Sequence, residues 1–140
     1  MDKKYELLTD NPLEYKGRTL YHIRALKDFA DVRAGEVGGQ IESEKNLSQS
    51  GDCWLYSGTI CDEAQVYDNA QITDSDVSDA AQIYGNAQVI GSSIMGKAIV
   101  HGEARAFYVQ IGGQAEITGS AWVAHDFYDG KVTGTKYIYD

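Results

Sequence analysis

A repeat constrains this chain more than any other feature. Ala64-Gln65-Val66, Ala81-Gln82-Ile83, Ala98-Ile99-Val100 and Ala115-Glu116-Ile117 recur at a fixed interval of 17 residues. A second alanine column, Ala70, Ala87, Ala104 and Ala121, follows the first by six positions in every copy. Three aliphatic columns keep the same interval: Ile60, Val77, Ile94, Ile111; Val66, Ile83, Val100, Ile117; and Leu55, Ile72, Val89, Ala106, Val123. An apolar residue every five or six positions fits neither a helix of about 3.6 residues per turn nor the two-residue period of a hairpin meander. It fits an all-β, single-stranded parallel β-helix with triangular coils, in which each side buries one aliphatic and like residues stack at the ~4.8 Å strand spacing.

The corners agree with that reading. Two places after an inward aliphatic come Asp62, Asp79, Gly96 and Gly113 on one edge, and Asp68, Gly85, Gly102 and Gly119 on the next. These residue types tolerate positive φ in a tight turn. The only proline, Pro12, lies outside the repeat, as expected where backbone N–H groups must donate to a neighbouring coil. Open coil ends need covering. Residues 1–46 are therefore expected to form an N-terminal β cap and lead-in coil, 47–127 the repeats, and 128–140 a C-terminal closing strand or arm, all within one domain. In the cap, the alternation from Thr19 to Leu26 after Lys16-Gly17 predicts a strand-turn-strand unit laid over the first coil. Val32, Val37 and Ile41, with Gly35, Gly38 and Gly39, predict an irregular lead-in coil.

Charge narrows the function classes. The chain has 12 basic and 21 acidic residues, a net charge of −9, which disfavours direct nucleic-acid binding through phosphate neutralisation. Between Lys45 and Lys97 no Lys or Arg occurs, while Asp52, Asp62, Glu63, Asp68, Asp74, Asp76 and Asp79 do. An acidic middle face of this kind attracts a basic partner. No apolar run is long enough to span a bilayer, and the N-terminus lacks a signal-peptide core, so a cytoplasmic protein without membrane contact is expected. Cys53 falls in the small-residue column and reads as a buried hydrophobe. Cys61 follows the inward Ile60 and is expected to face solvent.

The run from Ala34 to Glu42, then Asn46-Leu47-Ser48, Cys53-Trp54-Leu55 and the repeated Ala-x-Val-Tyr-x-Asn-Ala pattern resemble the hexapeptide-repeat β-helix proteins of phages and enterobacterial prophages, of the YdcK-like type. The resemblance covers roughly residues 20–125. It implies left-handed coils and a phage association, and it implies an acyltransferase-like fold more securely than an acyltransferase activity. Three hexapeptides would make a regular coil; the 17-residue interval leaves one side a residue short.

In hexapeptide acyltransferases a histidine acts as general base beside a coenzyme A groove. His101 is the best candidate here, pointing outward in a column with Tyr67, Tyr84 and Thr118. Yet no insertion interrupts the repeat beside it to wall off a pocket, and the nearest carboxylate in sequence is Glu103. His22, in the cap, and His125, at a corner, read as structural or exposed. No cofactor and no metal site are expected, although a cation held by stacked carboxylates is an alternative to turn formation for Asp62, Asp79, Asp74 and Asp76. The partner-binding residues are expected to be Asp62, Glu63, Asp68, Asp74, Asp76 and Asp79 with Tyr67 and Tyr84. Ile90, Met95, Ile99, Phe107 and Trp122 are expected to face outward and to form a self-association surface in a dimer or trimer. These features together favour a non-enzymatic scaffold that docks on a basic host protein, such as a nucleic-acid-binding component of a defence system, and occludes it. The alternatives are an acyltransferase using coenzyme A, a small-molecule sponge built at subunit interfaces, and a structural phage component.

Overall fold

Inward aliphatics set the architecture. The computed structural model describes residues 3–133 and the backbone of Tyr137–Ile138. Strands of two or three residues recur around three sides. The first side stacks Trp54–Leu55, Gln71–Thr73, Gln88–Ile90, Arg105–Phe107 and Trp122–Val123, and ends on Tyr137–Ile138. The second stacks Gly58–Ile60, Ser75–Val77, Ser93–Ile94 and Gln110–Ile111. The third stacks Gln65–Val66, Gln82–Ile83, Ile99–Val100, Glu116–Ile117 and Lys131–Val132.

Strands of successive coils pair in parallel and in register, so that Val66, Ile83, Val100, Ile117 and Val132 form one column. The chain is thus a parallel β-solenoid. The inward aliphatics and both alanine columns are buried in one continuous core, each larger aliphatic worth about 1.5–3 kcal/mol of transfer free energy. The interval of 17 holds to Val123 and then shortens. Val132 pairs one coil beyond Ile117 after 15 residues, and Phe127 bridges to Ile111 after 16.

Left-handed backbone marks all three corners. Asp62, Asp79, Gly96 and Gly113 have φ of 60°, 59°, 64° and 58°, and Asp68, Gly85, Gly102 and Gly119 have 58°, 69°, 71° and 69°. The third corner, where the sequence places Asp74 and Asp76, runs through Asp74, Gly91 and Tyr108, at 51°, 61° and 54°. Asp76, expected beside Asp74 at that corner, lies instead on the outer surface of the strand Ser75–Val77, since strand residues alternate in direction.

The cap converts the second side into a mixed sheet. Strands β1 (Tyr5–Tyr15) and β2 (Arg18–Ala25) form an antiparallel hairpin around Lys16-Gly17. Strand β3 (Val37–Ile41) pairs antiparallel with β2 and parallel with Gly58–Ile60. Gly38 and Gly39 are required by close approach: a Cβ on either would stand 2.4 Å from the Leu55 carbonyl oxygen or 2.6 Å from that of Gly58. Val32 and Ile41 are buried as a lead-in coil requires, but Val37 is 54% exposed; it lies beyond the register shift between His22 and Arg24 in the β2–β3 pairing, which breaks the alternation that buries Ile41. Buried Asn46 closes the junction. Its Oδ1 accepts from the Glu42 and Ser43 N–H groups, and its Nδ2 donates to the Asp62 and Ala64 carbonyls. Trp54 occupies a column that is outward elsewhere, yet it is 1% exposed, covered edge-on by Tyr5 and Phe29 of the cap.

Candidate functional site

The third side presents a ladder of rings. Tyr67, Tyr84 and His101 each follow an inward residue by one position, so the coil stack brings their rings face to face. Tyr67 and Tyr84 stack with centroids 4.8 Å apart and planes within 5°; Tyr84 and His101 repeat the spacing at 16°. The polar groups of Tyr67 and His101, at the two ends of the ladder, are held as well. Tyr67 donates its hydroxyl to Gln82 Oε1 at 3.2 Å. His101 Nε2 lies 2.8 Å from Glu116 Oε2, and its Nδ1 lies 3.3 Å from Thr118 Oγ1. The carboxylate facing His101 is therefore Glu116 of the next coil, not Glu103; 15 residues of sequence separate the pair, a distance that only the coil closes.

Two acidic corners border this side. Asp62, Glu63 and Asp79 lie on one edge and Asp68 on the other, with the rings between them. The expected single acidic face is otherwise divided: Asp74 stands at the corner between the first and second sides, and Asp76 on the second side. Tight corners expose their side chains in three directions, so a run of acids in sequence does not become one patch.

Many of these carboxylates also hold the coils together. Asp62 Oδ2 accepts from the Asp79 N–H at 3.0 Å, Asp79 Oδ2 from the Gly96 N–H at 2.9 Å, and Asp68 Oδ2 from the Gly85 N–H at 3.1 Å. Asp74 and Asp76 accept from the Ser57 and Thr59 hydroxyls at 2.6 and 2.7 Å. The run is also less bare than its composition implies. Arg18 on the hairpin pairs with Asp62, and Lys45 pairs with Glu63 at 2.9 Å. Burial alone would raise the Asp62 carboxyl, but the bonds from Arg18 and from the Asp79 N–H outweigh it and hold the group below the ordinary aspartate range.

The hairpin tip makes a groove that the repeat by itself does not. Tyr15, Lys16 and Arg18 fold beside the outer surface of the second side and enclose about 270 Å³ against Thr59, Cys61, Asp76, Ser78, Ser93 and Met95. Cys61, expected to face solvent, is 3% exposed as a result. Burial, then the Asp62 charge, pushes its thiol up to about 11, so thiolate is scarce at neutral pH. A pocket wall thus arises from the cap instead of an insertion in the repeat, and it stands on a different side from His101.

The outward apolar residues are less exposed than expected. Ile90, Met95, Ile99 and Phe107 are half-buried, while Trp122 is 36% exposed. Phe107 packs edge-on to Trp122 at 5.8 Å, and Arg105 lies 5.0 Å over the Trp122 ring. Coil neighbours shield these side chains because stacked columns are only one strand spacing apart. Tyr108, not anticipated, is 78% exposed on its left-handed corner. His22 is held by the Gly38 carbonyl and Gln40, and exposed His125 by the Asp126 carbonyl. Among the described residues, no group of three or more His, Cys, Asp or Glu side chains is placed to share a metal ion, and no helix is long and apolar enough to cross a membrane.

Comparison with known proteins adds one relative. The chain is 49% identical over 41 residues, 29% of its length, to the Escherichia coli K12 protein described as "Uncharacterized acetyltransferase YdcK". The match spans 13% of that protein. No family model matches the chain. The short match and the three-sided coils together fit a hexapeptide-repeat β-helix.

Proposed function

We propose that the chain is a non-catalytic binding scaffold whose third side docks on a basic protein surface. The observation that carries this reading is the ring ladder Tyr67, Tyr84 and His101, stacked, tied at its polar ends and bordered by Asp62, Glu63, Asp68 and Asp79. Side chains already ordered lose little entropy on binding, and aromatic anchors are the residues that carry interface energy. Acidic edges steer a basic partner and set its orientation. Phage or prophage origin, a host protein as the target, a cytoplasmic setting and self-association through Trp122 and its neighbours extend the proposal; the first rests on the sequence resemblance alone.

Affinity capture from host lysate tests the reading. Tyr67→Ala with Tyr84→Ala, or Asp62→Asn with Asp68→Asn and Asp79→Asn, should abolish salt-sensitive capture of a basic protein. Asp74→Asn with Asp76→Asn, on the other sides, should leave it intact. Equal capture by all three variants would sink the proposal.

A second reading, transfer of an acyl group from coenzyme A, is favoured by the name of the relative and by the His101–Glu116 pair. With Nε2–H donated to Glu116, Nδ1 beside Thr118 is the atom that would take a proton from an acceptor. Release of free coenzyme A that depends on His101 would support it.

A further inference from the structure

The seam between the cap and the first coil holds a pair of reactive groups that neither proposal uses. Lys4 is 1% exposed, an unusual position for an ammonium group, and among the described residues no carboxylate is bonded to it. Its Nζ donates to the Cys53 carbonyl at 2.6 Å and to the Gly51 carbonyl at 3.2 Å, and it lies 3.3 Å from Cys53 Sγ. The Phe29 ring closes the site from above, 5.0 Å from Nζ to the centroid. Cys53 is fully buried and in no disulfide. Its equivalents in the later coils, Ala70, Ala87, Ala104 and Ala121, show that packing requires only a small side chain there, so the thiol is more than the core needs.

We propose that Lys4 and Cys53 are an oxidisable pair, joined by dioxygen through a Nζ–O–Sγ bridge that latches the cap to the first coil. The geometry suits a one-atom bridge, because the two atoms already touch and a single oxygen inserts between them without moving either backbone. In the reaction one N–H bond and the S–H bond break, N–O and O–S bonds form, and the second oxygen atom leaves as water. Nitrogen and sulfur give up two electrons each, and dioxygen takes up all four. Burial disfavours both charged forms, lowering the Lys4 pKa and raising that of Cys53, a shift toward the neutral amine and neutral thiol that the reaction consumes. Lys3, the adjacent residue, is exposed, so the pair lies at the margin of the seam where small opening motions admit dioxygen.

Intact-mass measurement of the full chain tests the latch. Air-exposed protein should be heavier than anaerobically reduced protein by about 14 Da, one oxygen gained and two hydrogens lost, and dithiothreitol should reverse the gain. Digestion without reductant should leave residues 4 and 53 in one cross-linked species. Cys53→Ala, the residue used by the other coils, should fold and show no gain, as should Lys4→Arg. The bridged form should melt at a higher temperature than the reduced one. An unchanged mass in air, oxygen added to Cys53 alone while Lys4 still reacts with an amine reagent, the same gain in Cys53→Ala, or a bridge without a rise in Tm would each overturn the proposal.

Discussion

Asp79 separates the structural use of the acidic corners from their use in binding. Its φ of 59° lies in the left-handed region, and its Oδ2 accepts from the Gly96 N–H at 2.9 Å. Asp79→Ala loses both the local tolerance of that backbone, about 1 kcal/mol, and an exposed hydrogen bond, about 0.5 kcal/mol. The sum, about 1.5 kcal/mol, corresponds to a fall in Tm of about 5 °C for a domain of this size. Asp79→Gly removes the strain and keeps only the loss of the bond, so it should stay within about 0.5 kcal/mol of the natural protein. Asp79→Asn retains an acceptor oxygen and tolerates the same φ, and should match the natural protein while removing a charge stacked one coil from Asp62. Urea titration followed by circular dichroism, with equal m-values, gives the three numbers. An alanine variant as stable as the asparagine variant would refute the claim that the corner needs Asp for its backbone.

Further outcomes follow from other sites. Ile83→Ala, in the central coil, should cost about 2–5 kcal/mol in the same titration, since the columns above and below cannot collapse into the cavity. Asn46→Ala should cost about 2–3 kcal/mol, because its loss strands the Asp62 and Ala64 carbonyls and the Ser43 amide at the cap junction, while the Glu42 amide keeps its bond to the Ile60 carbonyl. Gly39→Ala should destabilise by about 2 kcal/mol or more, read as loss of soluble or cooperatively melting protein, since its Cβ would meet the Gly58 carbonyl oxygen at 2.6 Å. Maleimide should label Cys61 slowly at neutral pH and faster toward its pKa of about 11. Arg18→Ala, by freeing the hairpin tip, should speed labelling across that range.

The core and the corners were readable in the sequence because they are periodic. Each inward column, each alanine column and the Asp/Gly corners follow from side-chain size and φ tolerance repeated every 17 residues, and neighbouring coils impose the same demand on each copy. The partner of His101 was not readable, since Glu116 is near only after the chain has gone once around. Nor was the fate of Cys61 or Trp54. Their columns point outward in the repeat, and both are buried because the cap, which carries no repeat, folds over them. The acidic run illustrates the same division. Sequence fixes how many carboxylates the middle coils carry; the three corners decide which way each one faces, and the hairpin supplies Arg18 from 44 residues away. Local conformational preference determined the coil, and long-range closure determined its surface, because backbone choice is made residue by residue whereas contact depends on where the whole chain returns.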